Sequence, residues 1–210
     1  MKDNLTLVVF VLDRSGSMMS VRSDTIGGFN TFLNTQKVLN DAGDDVVMTL
    51  AQFDDQYELL CDYAPLKDVC ELTNETFVPR GWTALNDAIG RTINVVGAKL
   101  ASLQENERPS KVIFAILTDG QENSSNEFSH QQVADMIKLQ TETYNWEFVY
   151  LGANQDAFVV GSSYNIPTSN SQTYASTGVG TRNAFKSLNN GLSRRRTGDS
   201  TSSYFDDEDA

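Results

Sequence analysis

The sequence predicts an α/β fold in which helices cover both faces of a mostly parallel sheet. Two apolar runs rich in branched residues, 5–12 and 112–117, have the length and composition of strands that are buried on both faces. Segments with helical spacing of apolar residues alternate with strand-like segments along most of the chain. Two further strand-like segments are separated by only a tight turn, which requires an antiparallel hairpin.

In the first half of the chain, apolar spacing and turn residues define the elements. After the first strand, apolar residues recur at helical spacing over about 23–40. The hairpin consists of strands at 46–53 and 57–64, joined by Asp54–Asp55. We assign these two aspartates to turn formation rather than to metal binding. A long amphipathic helix then follows over about 84–104.

In the second half, capping residues mark where helices begin. Ser129 followed by Gln132 has the pattern of a capping box and opens a helix after the strand at 112–117. Asp156 has the residue type of an N-cap for a short helix. The other predicted elements are a strand at 146–152, a short edge strand near Ile166 and a last helix at about 175–192.

The composition of the chain changes at residue 193. A basic triplet at 194–196 is followed by small polar residues and by the acidic run 206–209. Such a segment has few apolar residues to anchor it, and this composition is typical of disorder. We therefore expect a single domain over 1–192 and a disordered, charged tail over 193–210.

The bulk composition excludes several classes of function. A formal net charge of −12 disfavours nucleic acid as a partner, because a phosphate backbone would be repelled. No apolar run approaches the roughly 20 residues that a membrane-spanning helix needs, and a strand that begins by about residue 5 leaves no room for a signal peptide. A single histidine argues against most histidine-based catalysis, and two cysteines indicate neither a disulfide framework nor a zinc site. We expect a cytoplasmic protein.

Oxygen-bearing side chains follow both buried strands at the points where those strands end. Asp13, Ser15 and Ser17 occupy alternate positions after the first strand, so their oxygens can converge on one small hard cation. Asp119 follows the strand at 112–117. In an open α/β sheet, ligands bind beyond the carboxyl ends of the strands where the strand order reverses. The alternative is that each aspartate only caps the loop or helix after it.

A third segment completes a recognisable pattern. Thr83 lies in Gly81–Leu85, just before the long helix, where it could also act as an N-cap. The motif Asp13–Ser17 (DRSGS), this threonine and Asp119 in TDG together resemble the von Willebrand factor A family. That family carries a metal-ion-dependent adhesion site written DxSxS, then a threonine, then an aspartate. The resemblance covers about 4–192, and the chain is most similar to the small intracellular members of bacteria and phages.

The resemblance implies a fold and a binding mode. The implied fold is a doubly wound, Rossmann-like three-layer sandwich of about six strands, with 57–64 as the antiparallel edge strand. In the family, the two serines usually bind Mg²⁺ directly, the threonine binds directly or through water, and the aspartates act largely through waters. Mn²⁺ or Ca²⁺ could replace Mg²⁺. A protein partner supplies an Asp or Glu to the open coordination position. The implied ligand set is Asp13, Ser15, Ser17, Thr83 and Asp119.

The resemblance predicts an adaptor or assembly factor rather than an enzyme, and two alternatives remain open. The first is a Mg²⁺-dependent phosphotransferase with Asp13 as nucleophile, but phosphatases of that type need a second aspartate where this chain has Ser15. The second is a metal-free structural scaffold. The sequence does not predict the oligomeric state. The predicted partner-binding rim consists of Arg14, Met18, Met19, Trp82, Gln121 and Asn154.

Overall fold

The structure is a computed structural model that describes residues 1–40, 45–153, 155–196, 198 and 203–205. In these ranges six strands form one sheet in the order β3-β2-β1-β4-β5-β6. The strands are β1 (Lys2–Asp13), β2 (Asp45–Phe53), β3 (Tyr57–Pro65), β4 (Pro109–Thr118), β5 (Glu147–Ala153) and β6 (Ser171–Tyr174). The α-helices of the same ranges are α1 (Arg22–Asn40), α2 (Leu85–Ser102), α3 (His130–Tyr144), α4 (Ala157–Ser163) and α5 (Gly178–Arg196).

The strand order places a switch point at the centre of the sheet. β1 pairs in parallel with both β2 and β4, and only the edge strand β3 is antiparallel to its neighbour. The chain builds outward from β1 to β3 on one side and then from β4 to β6 on the other. The predicted fold class is confirmed. Because Leu12 pairs with Leu117, the residues that follow β1 and β4 emerge side by side.

Each face of the sheet packs against its own layer of helices. On one face Phe10 of β1 lies in a cluster with Phe29 of α1 and Phe185 of α5. On the other face Phe114 of β4 packs with Phe148, together with apolar residues of α2, α3 and α4. Side chains of a strand alternate between its two faces, so a central strand covered on both must be apolar throughout. This explains the unbroken apolar runs in β1 and β4.

One predicted strand is displaced. Ile166 is buried, but it precedes a short 3₁₀ helix, Thr168–Asn170, and the edge strand β6 begins only at Ser171. Pro167 follows Ile166 directly, and a proline has no N–H to donate to a strand ladder. The edge strand therefore starts beyond the proline.

The last helix is longer than predicted. α5 continues to Arg196, four residues past the predicted end at 192. Arg195 is buried and its Nη2 lies 2.8 Å from a carboxylate oxygen of Glu147, and Arg196 donates to the side-chain oxygen of Gln36 at 2.7 Å. The basic triplet is thus part of the packed domain, because carboxylate and amide groups of neighbouring elements meet it. In the ranges that the structure describes, none of the helices combines the length and the apolar character of a membrane span.

Part of the predicted tail also packs on the domain. Tyr204 is fully buried, its hydroxyl donates to the backbone oxygen of Leu188 at 3.2 Å, and its ring contacts Gly191. A disordered tail is therefore the wrong prediction for 193–196 and 203–205, because one aromatic ring supplies the apolar anchor that the average composition conceals. The remaining tail residues, 197, 199–202 and 206–210, lie outside the described residues.

Candidate metal centre

Asp13 lies at the last position of β1 with its side chain fully buried. One carboxylate oxygen accepts the backbone N–H of Ser15 at 2.6 Å, and the other accepts the hydroxyl of Thr118 at 2.6 Å. The first bond turns the chain sharply as it leaves the strand, as aspartates do at turns. The second ties the ends of β1 and β4 together. Asp13 thus sets the shape of the loop that carries Ser15 and Ser17.

A chain of hydrogen bonds joins the next three predicted ligands. The hydroxyl oxygens of Ser15 and Ser17 lie 2.9 Å apart, and the Ser17 hydroxyl donates to a carboxylate oxygen of Asp119 at 2.5 Å. A 3₁₀ helix, Gly16–Val21, begins just after Ser15 and brings both hydroxyls to the same side of the loop. Residues that are about 100 positions apart in sequence therefore share one small polar site.

Thr83 approaches this site from the loop before α2. Its N–H donates to the side-chain oxygen of Asn123 at 2.9 Å, and the N–H of Asn123 donates to the carbonyl of Thr83 at 3.0 Å. A Cβ on Gly120 would lie 2.8 Å from the hydroxyl oxygen of Thr83 and 3.5 Å from that of Ser17. Only glycine leaves this space open. Thr83 and Ser17 therefore approach each other beside Gly120, and Ser17 is linked through Ser15 to the loop that Asp13 shapes.

The raised pKa values of Asp13 and Asp119 are consistent with a site that a cation would stabilise. Burial raises the pKa of Asp13 to about 6, the bonds from Thr118 and Ser15 oppose this shift, and the charge of Asp119 adds to it. Burial also raises the pKa of Asp119, against hydrogen bonds from Ser17 and Ser176. A nearby divalent cation would offset both effects, because it favours the ionised carboxylates.

The chemistry of the donor set agrees with this fit. Two carboxylates and three hydroxyls provide only oxygen donors, which Mg²⁺ and similar hard cations prefer. Within the described ranges, no group of three or more His, Cys, Asp or Glu side chains could hold a metal ion. The candidate site combines carboxylates with hydroxyl groups, as the DxSxS spacing predicts. The candidate donors are those of Asp13, Ser15, Ser17, Thr83 and Asp119.

Two carboxylates, whose contacts the sequence did not predict, connect the loop after Asp119 to the start of α2 by hydrogen bonds. Glu122 accepts the N–H of Asn86 at 2.8 Å, and Asp87 accepts the N–H groups of 126–128 at 2.8–2.9 Å. The N-cap position of α2, Ala84, has no side chain that could accept the first amides of the helix, and the loop accepts them instead, through Glu122 at Asn86 and Ser125 at Asp87. No sequence motif marks these contacts between the loop and the helix.

Ser176 is a second feature that the sequence did not reveal. It lies between β6 and α5, and its hydroxyl donates to a carboxylate oxygen of Asp119 at 3.4 Å. Nearby, the hydroxyl of Tyr174 donates to the backbone oxygen of Thr118 at 3.4 Å. The connection into the last helix therefore contacts the site directly. The only available signal was its position at the carboxyl end of a strand.

Three of the predicted rim residues are exposed. Met19 and Trp82 retain 54% and 67% of their accessible surface, and Gln121 is also exposed. Met19 lies two residues after Ser17, and Trp82 directly precedes the loop threonine, so both flank the site in sequence. Asn154, which was also predicted for the rim, lies outside the described residues.

Two rim predictions are wrong. Met18 is fully buried in the core on the α1 and α5 face, so it cannot contact a partner. Arg14 is only 4% exposed, and its Nε donates to a carboxylate oxygen of Asp54 at 3.0 Å. Met18 is turned inward within the 3₁₀ helix, and Arg14 is held inward by the carboxylate of Asp54 in the hairpin. Alternation along a loop does not predict such directions, because a loop lacks the fixed period of a strand.

Comparison with known proteins identifies the fold. No family model and no curated protein matches the sequence. Among solved structures, the vWF domain of the type V pili tip protein Mfa5 from Porphyromonas gingivalis is similar at a TM-score of 0.65 and 11% identity, over 90% of this chain and 95% of that chain. Proximal thread matrix protein 1 from the mussel byssus, with a zinc-occupied MIDAS motif, matches at 0.57 and 16%, over 90% and 46%. The von Willebrand factor type A structure from Catenulispora acidiphila matches at 0.55 and 11%, over 90% and 42%.

These matches show the fold and nothing finer. This chain has the three-layer α/β fold of von Willebrand factor A domains. It spans less than half of the mussel chain and of the Catenulispora chain. Because one of these neighbours is a pilus tip protein, the similarity does not indicate a compartment.

Proposed function

We propose that this chain is a von Willebrand factor A domain that binds a protein partner through a divalent cation. The observation that carries the proposal is the chain of hydrogen bonds at the switch point of the sheet that links the hydroxyls of Ser15 and Ser17 to Asp119. The proposed donor set adds Asp13, which shapes the serine loop, and Thr83, which lies beside Gly120. Mg²⁺ is the proposed ion, and Mn²⁺ or Ca²⁺ would meet the same oxygen donors.

The choice of ligands explains why such a site would bind a partner. Hydroxyl groups add no negative charge, so the two carboxylates only just neutralise a divalent ion. The bound ion remains electrophilic and accepts one more carboxylate, from an Asp or Glu of the partner. A cage of directly bound carboxylates would remove that attraction. A cation held by Asp13, Ser15 and Asp119 would therefore be suited to recognise an acidic side chain of a partner.

The surface around the site supports a protein as the ligand. Trp82 and Met19 are large, apolar and exposed, and such side chains are enriched at protein interfaces. Gln121 would add a polar contact. A net charge of −12 opposes binding to nucleic acid or to an anionic membrane surface. The proposed role is an adaptor or assembly factor of the small bacterial or phage type, and a cytoplasmic location stays a prediction.

The contacts of Asp13 favour binding over phosphoryl transfer. A nucleophilic aspartate needs an oxygen that can reach the phosphorus atom. Both oxygens of Asp13 already accept hydrogen bonds, from Ser15 and Thr118, and the side chain is fully buried. We therefore propose that the chain is not an enzyme.

The cation is tested by calorimetry. We expect Mg²⁺ to bind the wild-type protein and a Ser102→Ala control, because Ser102 is exposed at the end of α2 and bonds only within its own turn. Asp13→Ala and Ser17→Ala should lose Mg²⁺ binding. Equal binding by these variants and the control would contradict the site. Phosphomonoester turnover that is lost in Asp13→Asn would overturn the assignment as a binding module.

The partner chemistry is tested with a peptide pool that has one central Asp, compared with the same pool carrying Asn. We expect capture of the Asp pool in Mg²⁺ and its loss in chelator. Thr83→Ala should weaken capture about tenfold or more, since Thr83 completes the donor set. It should lower the free energy of unfolding by only about 1 kcal/mol, because one neutral hydroxyl is removed. If Thr83→Ala captured less peptide only because less of the protein was folded, a role of Thr83 in binding would be contradicted.

A further inference from the structure

Asp54 connects two of the loops that carry the metal ligands. It follows β2 directly, is fully buried, and accepts hydrogen bonds from Nε of Arg14 at 3.0 Å and from Nε of Arg80 at 2.8 Å. Arg14 lies inside the DRSGS loop, and Arg80 lies three residues before Thr83. We propose that the triad of Arg14, Asp54 and Arg80 positions Thr83 opposite the serines and so sets the affinity for the cation. This inference rests on the proposed function, and the triad acts without contacting the ion.

Backbone hydrogen bonds reinforce the same connections. The N–H of Arg80 donates to the carbonyl of Arg14 at 2.9 Å, and the N–H of Ala84 donates to the carbonyl of Asp54 at 2.9 Å. The N–H of Gly16 donates to the carbonyl of Gly81 at 3.2 Å. The side-chain triad therefore lies where the first loop, the hairpin and the loop of Thr83 already meet. A shift of any one side chain would move the other two segments.

The loop of Thr83 needs this support because it has little of its own. Residues 78–84 form neither helix nor strand, and Gly81 has a positive φ of 63°. Helix α2 begins at Leu85, after the ligand, so it cannot hold Thr83 through its own ladder. Thr83 itself is held by two reciprocal hydrogen bonds with Asn123, which is not part of the triad.

The charges of the triad make its geometry specific. Buried Arg14 must be paired, because an isolated buried charge is strongly unfavourable. Its Nη1 also donates to Glu58, so carboxylates meet both arginines, and Asp55 is a further negative charge near Arg80. The directional bonds of guanidinium groups then fix where Arg14 and Arg80 can lie.

Arg80→Met is the first test, because the side chain of Arg80 is half exposed and its loss should leave the fold intact. Lys2→Met is the matched control: Lys2 is also about half exposed and forms one ion pair, with Asp45, at the amino-terminal ends of β1 and β2, away from the site. We expect Arg80→Met to weaken Mg²⁺ binding in calorimetry about fivefold, the scale of one partly exposed charge contact. Lys2→Met should bind as the wild type does.

Amide hydrogen exchange in chelator tests the positioning without any metal. We expect the amides of Ala84 and Asn123 to exchange several times faster in Arg80→Met, because their bonds hold the loop of Thr83. Asp54→Asn should weaken Mg²⁺ binding on the order of 10- to 100-fold, as loss of an outer positioning group does. If Asp54→Asn does not fold, Arg80→Lys replaces it and should restore part of the affinity that Arg80→Met loses.

Two outcomes would overturn the proposal. One is wild-type Mg²⁺ affinity together with wild-type exchange at Ala84 and Asn123 in Arg80→Met. The other is faster exchange in that variant with unchanged affinity, since the triad would then hold a loop that the cation does not need. Failure of the proposed function gives a different result, because the wild-type protein itself would then show no Mg²⁺ binding.

Discussion

At the scale of single residues, the charge of Asp13 makes the candidate site sensitive to pH. Without a cation, burial of this carboxylate raises its pKa from 3.8 to about 6. The folded protein therefore holds a proton that the unfolded chain releases between these values. Stability consequently falls as the pH rises through that interval, by about 3 kcal/mol in total. A bound divalent ion removes this penalty, because it stabilises the ionised form.

Mg²⁺ binding should therefore depend on pH in a defined direction. We expect the affinity to be constant above about pH 7 and to fall about tenfold for each pH unit below about 6, because protons then compete at Asp13. Calorimetry between pH 5 and pH 8 measures this. In chelator, the free energy of unfolding should decline from about pH 4 to pH 6 relative to Asp13→Asn, which cannot titrate. An affinity that is flat down to pH 5 would contradict the assignment.

Single residues also show what the sequence could predict about the site. Asp13, Ser15 and Ser17 are two positions apart on one short loop, so covalent geometry alone keeps their side chains close. Asp54 sits on a hairpin, where aspartate usually stabilises a turn. It does so here through the N–H of Gln56, but it also pairs with two arginines, and only the folded arrangement brings these together.

At the scale of elements, prediction succeeded where burial or capping imposed a pattern. The strands β1 and β4 were found because both their faces are covered, and the capping box at Ser129 is present at the start of α3. The edge strand was misplaced because Ile166 is buried without belonging to a strand. An apolar residue reports burial, and burial alone does not distinguish a strand from a packed loop.

The start of α2 and the loop after the metal ligands form one unit, and Asp87 is its main connection. Its carboxylate accepts three backbone N–H groups, from 126–128, and this holds the ring of Phe128 against Gly90. Asp87→Ala would leave these amides without their partner. We expect a loss of about 2–4 kcal/mol in the free energy of unfolding, since hydrogen bonds to a charged group are each worth about 1.5–3 kcal/mol and are only partly replaced by water.

Urea denaturation measures this loss, and Asp135→Ala is the matched control. Asp135 is an exposed aspartate on α3 that accepts one bond, from Gln131. We expect it to change the free energy of unfolding by less than about 0.5 kcal/mol. Equal effects of the two substitutions would show that the loop does not depend on Asp87.

At the scale of the whole molecule, α5 connects the two ends of the sheet. Just before its first turn, Ser176 contacts Asp119 at the candidate metal site, and near its last turn Tyr204 packs against Gly191. Between these points Phe185 stacks on Phe10 of the central strand. The sequence predicted the helix from its apolar spacing but not the contact of 203–205 with it. A segment of mixed charge gives no periodic signal, so the burial of Tyr204 could not be read from the sequence.

The contact of Tyr204 should contribute strongly to the stability of the domain. Its ring is fully buried, the guanidinium of Arg195 lies 5.6 Å from the ring centre, and Arg194 donates to its backbone oxygen at 2.8 Å. We expect Tyr204→Ala to cost about 3–5 kcal/mol, as loss of a buried aromatic ring does. Tyr204→Phe keeps the ring and loses only the bond to Leu188, so it should cost about 1 kcal/mol.

Urea denaturation and amide hydrogen exchange together locate this effect. In Tyr204→Ala, amides in the last two turns of α5 should exchange faster than those in its first turns, because only the far end of the helix loses its cover. Tyr144→Ala is the control, since Tyr144 keeps 61% of its surface exposed at the end of α3. Its cost should stay below about 1 kcal/mol. If Tyr204→Ala unfolds like this control, residues 203–205 do not hold the helix, and the domain would end where α5 ends.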